Sequence, residues 1–283
     1  MYKKILFYKY IISEIFWKIR LSVLIFLLGK KSKLGKVLIG IKTKGYYVLE
    51  NYFSYEEISS IKKICFDNLN SIPDSYLSNY KGNEYIANLE IPEKKIVIER
   101  MSGSIKLKGL QNTCVYLDSV SKISFLLFLA FIQLFEFRKK ALLIFSWSHD
   151  GTAKNLKVPG SVCDKQNIAG ELHFDTYYHS LKAFTPLEDV TLENGPFAYL
   201  EGSANDKALF DNYLNTLNLK NNLSINSDKP HQVSRDFIKN NNYENKIFYG
   251  TQKKGDLVIM DTKGIHFASN LKKGQRQLFW FYY

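Results

Sequence analysis

The chain is short of cysteine, of long apolar runs and, at one end, of acidic residues. Its three cysteines, Cys65, Cys114 and Cys163, are scattered through 283 residues and form no CxxC pair. That spacing excludes a disulfide framework and a cysteine-rich metal cluster, and a reducing, cytoplasmic setting is expected. No Walker loop, dinucleotide-binding glycine fingerprint or zinc-finger spacing occurs. The first 44 residues hold a single acid, Glu14, against eleven lysines and arginines. This segment therefore carries +10 of the total +12, and the remainder is nearly balanced. The basic character is local, with no stripe suited to a phosphate backbone, so no nucleic-acid partner is expected.

The same 44 residues are also rich in apolar side chains, but charges interrupt them. Lys9, Glu14, Lys18 and Arg20 break the pattern, and the stretch Leu21–Gly29 is too short for a spanning helix, which needs about 20 residues. Neither an unbroken signal-peptide core nor a clear cleavage site is present. A basic amphipathic helix on an anionic membrane surface, peripheral on the inner face, fits the pattern. A helix packed on the domain itself or on a partner fits it as well. Residues 1–44 are read as one segment and 45–283 as the main domain. The uncharged run Ile123–Phe135 reads as a buried helix, with a membrane-dipping helix as the alternative.

What is abundant points to a sheet. Aromatic residues make up 15% of the chain, and they suit half-buried strands. Gly45–Phe53 reads as a short strand. Ser54 then opens a helix with Glu57 in capping-box position, and Ile58, Ile61, Ile64 and Cys65 form its apolar face. Residues 71–93 read as loop, and 95–101 and 142–147 as strands. From residue 168 onward short strand-like runs follow one another, separated by turns such as Glu193-Asn194-Gly195. This punctuation suggests a sandwich or jelly roll. An insert at about 203–250, with helices near 206–214 and 231–240, is expected to form part of a lid.

The chemistry concentrates at Glu171-Leu172-His173-Phe174-Asp175. On a strand, positions i and i+2 share a face, so His173 and Asp175 project together while Phe174 points away. One imidazole and one carboxylate occupy two adjacent coordination positions. His266, behind the strand-like run 256–261, offers the third. Two histidines and one carboxylate on one side of a metal leave the other positions open, which suits ferrous iron that must take a cosubstrate and dioxygen. Arg276 presents a planar fork that can hold the distal carboxylate of 2-oxoglutarate. An isolated HxD tripeptide is weak evidence, and the usual role of a strand histidine is a hydrogen-bonded core residue. The combination with His266 and Arg276 is what makes the pattern specific.

The run from Ser180 through Thr185-Pro186-Leu187 to Glu193-Asn194-Gly195-Pro196 resembles the phytanoyl-CoA dioxygenase family. So do Tyr199-Leu200-Glu201-Gly202-Ser203 and the strand and capped helix after Gly45. The resemblance implies a mainly β fold with flanking helices, a double-stranded β-helix of jelly-roll, cupin-like form. It implies Fe(II) on the catalytic residues His173, Asp175 and His266, with 2-oxoglutarate and dioxygen as cosubstrates and Arg276 on the 2-oxoglutarate carboxylate. Phe184 and Lys182 are placed beside the cosubstrate, and Trp147, Tyr177 and Tyr178 near the substrate. Asp175 favours hydroxylation over halogenation, because related halogenases carry a small residue there. The substrate class is a small molecule, lipid or glycan. A non-catalytic lipid- or glycan-binding module at a membrane is the alternative. Two departures stand out: Leu278 replaces a usual Ser or Thr, and Ala204 ends a turn that usually closes with histidine. Ser148-His149-Asp150 is discounted as a catalytic unit, since neighbours on a strand face opposite ways. His179 is expected at the surface or behind the site, and His231 in solvent.

Overall fold

A computed structural model describes residues 2–73, 86–91, 96–101, 104–110, 142–150, 171–206, 209, 211 and 231–282. The expected helix at Ile123–Phe135, most of the one near 206–214, and Cys114 and Cys163 lie outside these residues. The described elements are α1 (Tyr2–Leu28), α2 (Lys33–Thr43), β1 (Tyr46–Leu49), α3 (Tyr55–Asn70), β2 (Ile86–Ile91), β3 (Ile96–Met101), β4 (Ser104–Lys108), β5 (Leu142–His149), β6 (Leu181–Pro186), β7 (Phe197–Leu200), α4 (Arg235–Asn240), β8 (Ile247–Gly250), β9 (Leu257–Asp261), β10 (His266–Ala268) and β11 (Gln275–Tyr282).

The strands form two antiparallel sheets, ordered β1-β9-β6-β11-β5-β4-β3-β2 and β10-β7-β8. Alternation along each strand divides the side chains between two cores. From β11, Phe279 and Phe281 point to one side, and from β9 Leu257 and Ile259 do the same. There they meet Trp17, Leu21 and Ile25 of α1, Val37, Leu38 and Ile41 of α2, and Ile58, Ile61 and Cys65 of α3. Leu278, Val258, Met260 and Phe184 point to the other side and meet Phe197 and Tyr199 of the small sheet. The strands β9 and β6 are thus covered on both faces, which explains why β9 is apolar at nearly every position. Facing antiparallel sheets with helices on one outer face make the mainly β, jelly-roll arrangement that the sequence implied.

Several features differ from the sequence reading or add to it. Residues 86–91 form a strand inside the expected loop 71–93; β2 pairs with β3 through a register shift that blurs its alternation. The helices α1 and α2 share one apolar cluster with α3 and the large sheet. Finally, the HxD segment is not a full strand. His173 instead makes isolated bridges to His266 and to Gln232, which extends the edge of the small sheet by a single residue. The expected helix at 231–240 is confined to Arg235–Asn240, capped by the Ser234 hydroxyl. No helix among the described residues is long and apolar enough to cross a membrane.

Candidate metal centre

The backbone brings the two histidines together. His173 and His266 exchange both main-chain hydrogen bonds, at 3.0 and 2.8 Å, as a directly opposed antiparallel pair. The Asp175 N–H donates to the Thr262 carbonyl at 2.9 Å and fixes the next step of the segment. Positions 173 and 175 therefore share a side, as the period of two requires. Phe174 points the other way and is buried with Leu200, Val233, Phe237 and Ile265. The described part of the 203–250 insert packs into that same cluster. It supports the ligand segment from behind.

The donor atoms of His173, Asp175 and His266 all lie within 4.8 Å of one another. In each histidine Nδ1 faces a main-chain carbonyl two residues back, Glu171 at 2.6 Å and Gly264 at 2.8 Å. A carbonyl only accepts, so Nδ1 carries the proton in both rings. In a neutral ring Nε2 then keeps its lone pair, the tautomer that a metal ligand requires. Desolvation alone would raise the Asp175 carboxyl, but the charges of His266, Lys182 and His173 outweigh it and hold it down at about 2. Burial pushes the His266 imidazole down to about 4. Near neutral pH the site thus presents a carboxylate and a neutral buried imidazole. Two imidazoles and one carboxylate fit a divalent transition metal with open positions.

The open side is a cavity of about 200 Å³. His173, Asp175, His266, Lys182, Arg276 and Trp280 are among the residues that line it. Lys182 donates to Asp175 Oδ2 at 2.6 Å, and its ammonium lies 4.2 Å from the Tyr282 ring centroid. It is therefore paired with the Asp175 carboxylate. Arg276 donates to the Gly195 carbonyl. Gly195 closes the 191–194 turn in a left-handed conformation (φ 69°), and a Cβ there would meet the Ser269 carbonyl oxygen at 2.5 Å. The glycine of the expected turn thus aims the carbonyl that orients the guanidinium.

The other candidates are placed differently. Phe184 does not line the cavity. It packs on Phe197 and Trp280, which do, at ring separations of 5.5 and 4.7 Å. Trp147 lies on the opposite face of β5 from the cavity, buried in the helix-side core against Phe66, with its indole N–H on Gln275. Its strand neighbours Ser146 and Ser148 line the cavity instead. Tyr177 packs behind Phe174, and Tyr178 meets Tyr10 of α1; neither lines the cavity. Among the residues the sequence reading passed over are Ser104, Lys106, Ser146, Ser148, Trp280 and Tyr282. The alternation Ser104-Ile105-Lys106-Leu107 was a usable signal, since its apolar half is the one in the core.

His179 is neither at the surface nor on the cavity. It is 8% exposed and lies between two acids, with Nδ1 hydrogen-bonded to Asp261 and Nε2 3.1 Å from Glu14 of α1, off line for a hydrogen bond. Lys263 donates to the same Glu14 oxygen at 2.6 Å, and Trp17 stacks on the imidazole at 4.6 Å. This cluster ties α1 to the segments that carry Asp175 and His266.

No family model matches the chain, and no curated protein sequence matches it. Among solved structures the chain is similar to EvdO2 from Micromonospora carbonacea var. aurantiaca complexed with 2-oxoglutarate, at 12% identity over 90% of this chain and 91% of that one, with a TM-score of 0.49. It is also similar to HygX from Streptomyces hygroscopicus with nickel and 2-oxoglutarate bound, at 14% identity over 87% and 85%, with a TM-score of 0.43. A third likeness is to EctD from S. alaskensis with bound Fe, at 14% identity over 86% and 73%, with a TM-score of 0.44.

Proposed function

We propose that this protein is an Fe(II)- and 2-oxoglutarate-dependent dioxygenase that hydroxylates an unactivated carbon of a small-molecule, lipid or glycan substrate. The observation that carries the reading is one arrangement: donor atoms of two imidazoles and one carboxylate converge beside a cavity that also holds an oriented arginine. His173, Asp175 and His266 would hold the metal on one side. Iron so held supplies oxidative chemistry with dioxygen that no side chain can perform. The chain's own part is to bind, orient and exclude water. Arg276, held by the Gly195 carbonyl, offers its fork to the distal carboxylate of the 2-oxo acid. Lys182 keeps Asp175 ionised and aligned. Ile144, Phe197, Met260, Leu278 and Trp280 supply an apolar part of the wall beside Ser104, Lys106, Ser146 and Ser148, and apolar lining limits water at the reacting carbon. The sequence resemblance to the phytanoyl-CoA dioxygenase family supports the same reading.

A hydrolytic three-ligand site would need no oriented arginine for a second carboxylate. A non-catalytic binding module would need no pair of histidines locked in the metal-binding tautomer. The test is anaerobic addition of ferrous iron and 2-oxoglutarate. A visible charge-transfer band is expected in the natural chain and not in His173→Ala. Absence of the band in the natural chain, with iron demonstrably unbound, overturns the reading.

A further inference from the structure

The helix α1 is apolar on two opposite sides. At 3.6 residues per turn, Tyr10, Ser13, Trp17, Leu21 and Ile25 fall on one side, and all are buried. Ile12, Phe16, Ile19, Val23 and Phe26 fall on the other side, and all are exposed, with Phe26 reaching 84% and Phe16 57%. Of the large hydrophobic side chains exposed among the described residues, all but Tyr55, Leu192 and Tyr249 belong to this helix. The exposed ridge runs from Ile5 to Leu27, about 33 Å at 1.5 Å per residue. A contiguous apolar surface of this size on one element marks a contact site.

The helix cannot roll to hide this ridge. Trp17, Leu21 and Ile25 are fixed in the core, and Glu14 is held by Lys263 and His179. The charge around the ridge identifies its occupant. Lys9 and Lys18 are exposed and fall on opposite flanks of the ridge, and the exposed Lys30, Lys31, Lys33 and Lys36 follow directly from its C-terminal end. An apolar ridge with basic flanks matches an anionic bilayer surface, where the ridge enters the headgroup boundary and lysines meet phosphates. A second copy of the chain fits less well, because a self-contact along this ridge would bring two +10 segments together.

We propose that the outward face of α1 docks the protein on an anionic lipid surface, with the ridge inserted and the flanking lysines at the headgroups. The test is co-sedimentation of the full chain, without added metal, with vesicles of phosphatidylglycerol and phosphatidylcholine. Because no metal or cosubstrate is present, its outcome is separate from that of the proposed chemistry. The natural chain is expected to partition onto anionic vesicles and to be released by high salt. The triple variant Phe16→Gln/Phe26→Gln/Leu27→Gln alters only exposed positions, so its circular dichroism and melting should match the natural chain while partitioning falls at least about tenfold. Lys9→Glu/Lys18→Glu should lower partitioning on anionic vesicles alone. Failure of the natural chain to sediment at low salt overturns the proposal. So does equal partitioning by the triple variant, or equal binding to purely zwitterionic vesicles. A dimer in sedimentation velocity that the triple variant dissolves, with no vesicle binding, assigns the ridge to a second copy instead.

Discussion

Two clusters of histidine and carboxylate lie close together in this chain, and they differ in what they leave open. In the first, His173 and His266 use Nδ1 on main-chain carbonyls and keep Nε2 available beside Asp175. In the second, His179 has a carboxylate at each ring nitrogen, and Lys263 occupies the same Glu14 oxygen. Residue types are nearly the same. The first cluster opens to a cavity and keeps donor atoms available; the second is sealed under α1 and is neutralised from within. Lone pairs left without a proton donor, rather than the presence of histidine, separate a binding site from a structural tie.

The comparison is broken most severely by removing one charge from the sealed cluster. Lys263 is 1% exposed and its ammonium lies 5.3 Å from the Tyr10 ring centroid. Lys263→Met preserves length and apolar volume but leaves Glu14 without its closest cation. Removing one partner of a buried ion pair costs about 3–5 kcal/mol, and Lys263→Met is expected to lie in that range by urea unfolding. Loss of well under 1 kcal/mol would show the cluster to be dispensable.

The pH dependence of the same cluster gives the next effect. Desolvation alone would raise the Glu14 carboxyl, but His179 and Lys263 outweigh it and hold it down at about 2 from an ordinary 4.5. A depressed folded pKa stabilises the fold above the unfolded value, and that stability is lost as pH falls from about 4.5 toward 2. A shift of this size corresponds to about 3 kcal/mol at neutral pH. Glu14→Gln should lose about that much at pH 7 and show a flatter decline of Tm as pH falls from about 4.5 toward 2. Because His179 is raised, chiefly by Asp261 against the effect of burial, its own contribution is complete below its ordinary 6.5 and falls as pH rises through the folded value.

How much of this was legible in the sequence depends on the distance over which a pattern acts. The period of two put His173 and Asp175 on one side and Phe174 on the other, and the turn at Glu193-Asn194-Gly195 announced itself by its residue types. The same rule, applied to β5, would have chosen Ser146 and Ser148 over Trp147, because alternate residues of that strand go to opposite cores. Phe184 shares the face of the cavity but sits one layer behind it. The role of His179 was not legible at all, since Glu14 and Asp261 reach it from distant parts of the chain. Nor was the second apolar side of α1: periodicity shows that a side is apolar, while only packing shows which side is buried.

In the open cluster, loss of Arg276 is expected to separate the metal from the cosubstrate. Arg276→Gln keeps a polar side chain that can still reach toward the Gly195 carbonyl, but loses the charged fork. A charge-assisted pair of this kind contributes about 1.5–3 kcal/mol, so the dissociation constant for 2-oxoglutarate should rise by about tenfold to a hundredfold. Ferrous-iron affinity, measured by anaerobic titration without the 2-oxo acid, should stay the same. Equal weakening of both would mean that Arg276 acts on the triad rather than on the cosubstrate.

The smallest effect on chemistry should come from Trp147, and it sharpens the division between the faces of β5. The indole is buried against Phe66 and donates to Gln275 at 3.0 Å, on the helix side of the sheet. Trp147→Phe removes that hydrogen bond and part of the packing, for about 1–3 kcal/mol of stability. The adjacent Ser148 lines the cavity across from Arg276, whose strand position it pairs with. If strand alternation alone assigns these residues, Trp147→Phe changes Tm and leaves 2-oxoglutarate affinity within about twofold, because Trp147 does not line the cavity. Ser148→Val should do the reverse, changing affinity with little change in Tm. A Trp147→Phe variant that binds 2-oxoglutarate tenfold more weakly at unchanged stability would mean that the sheet transmits the helix-side core to the cavity.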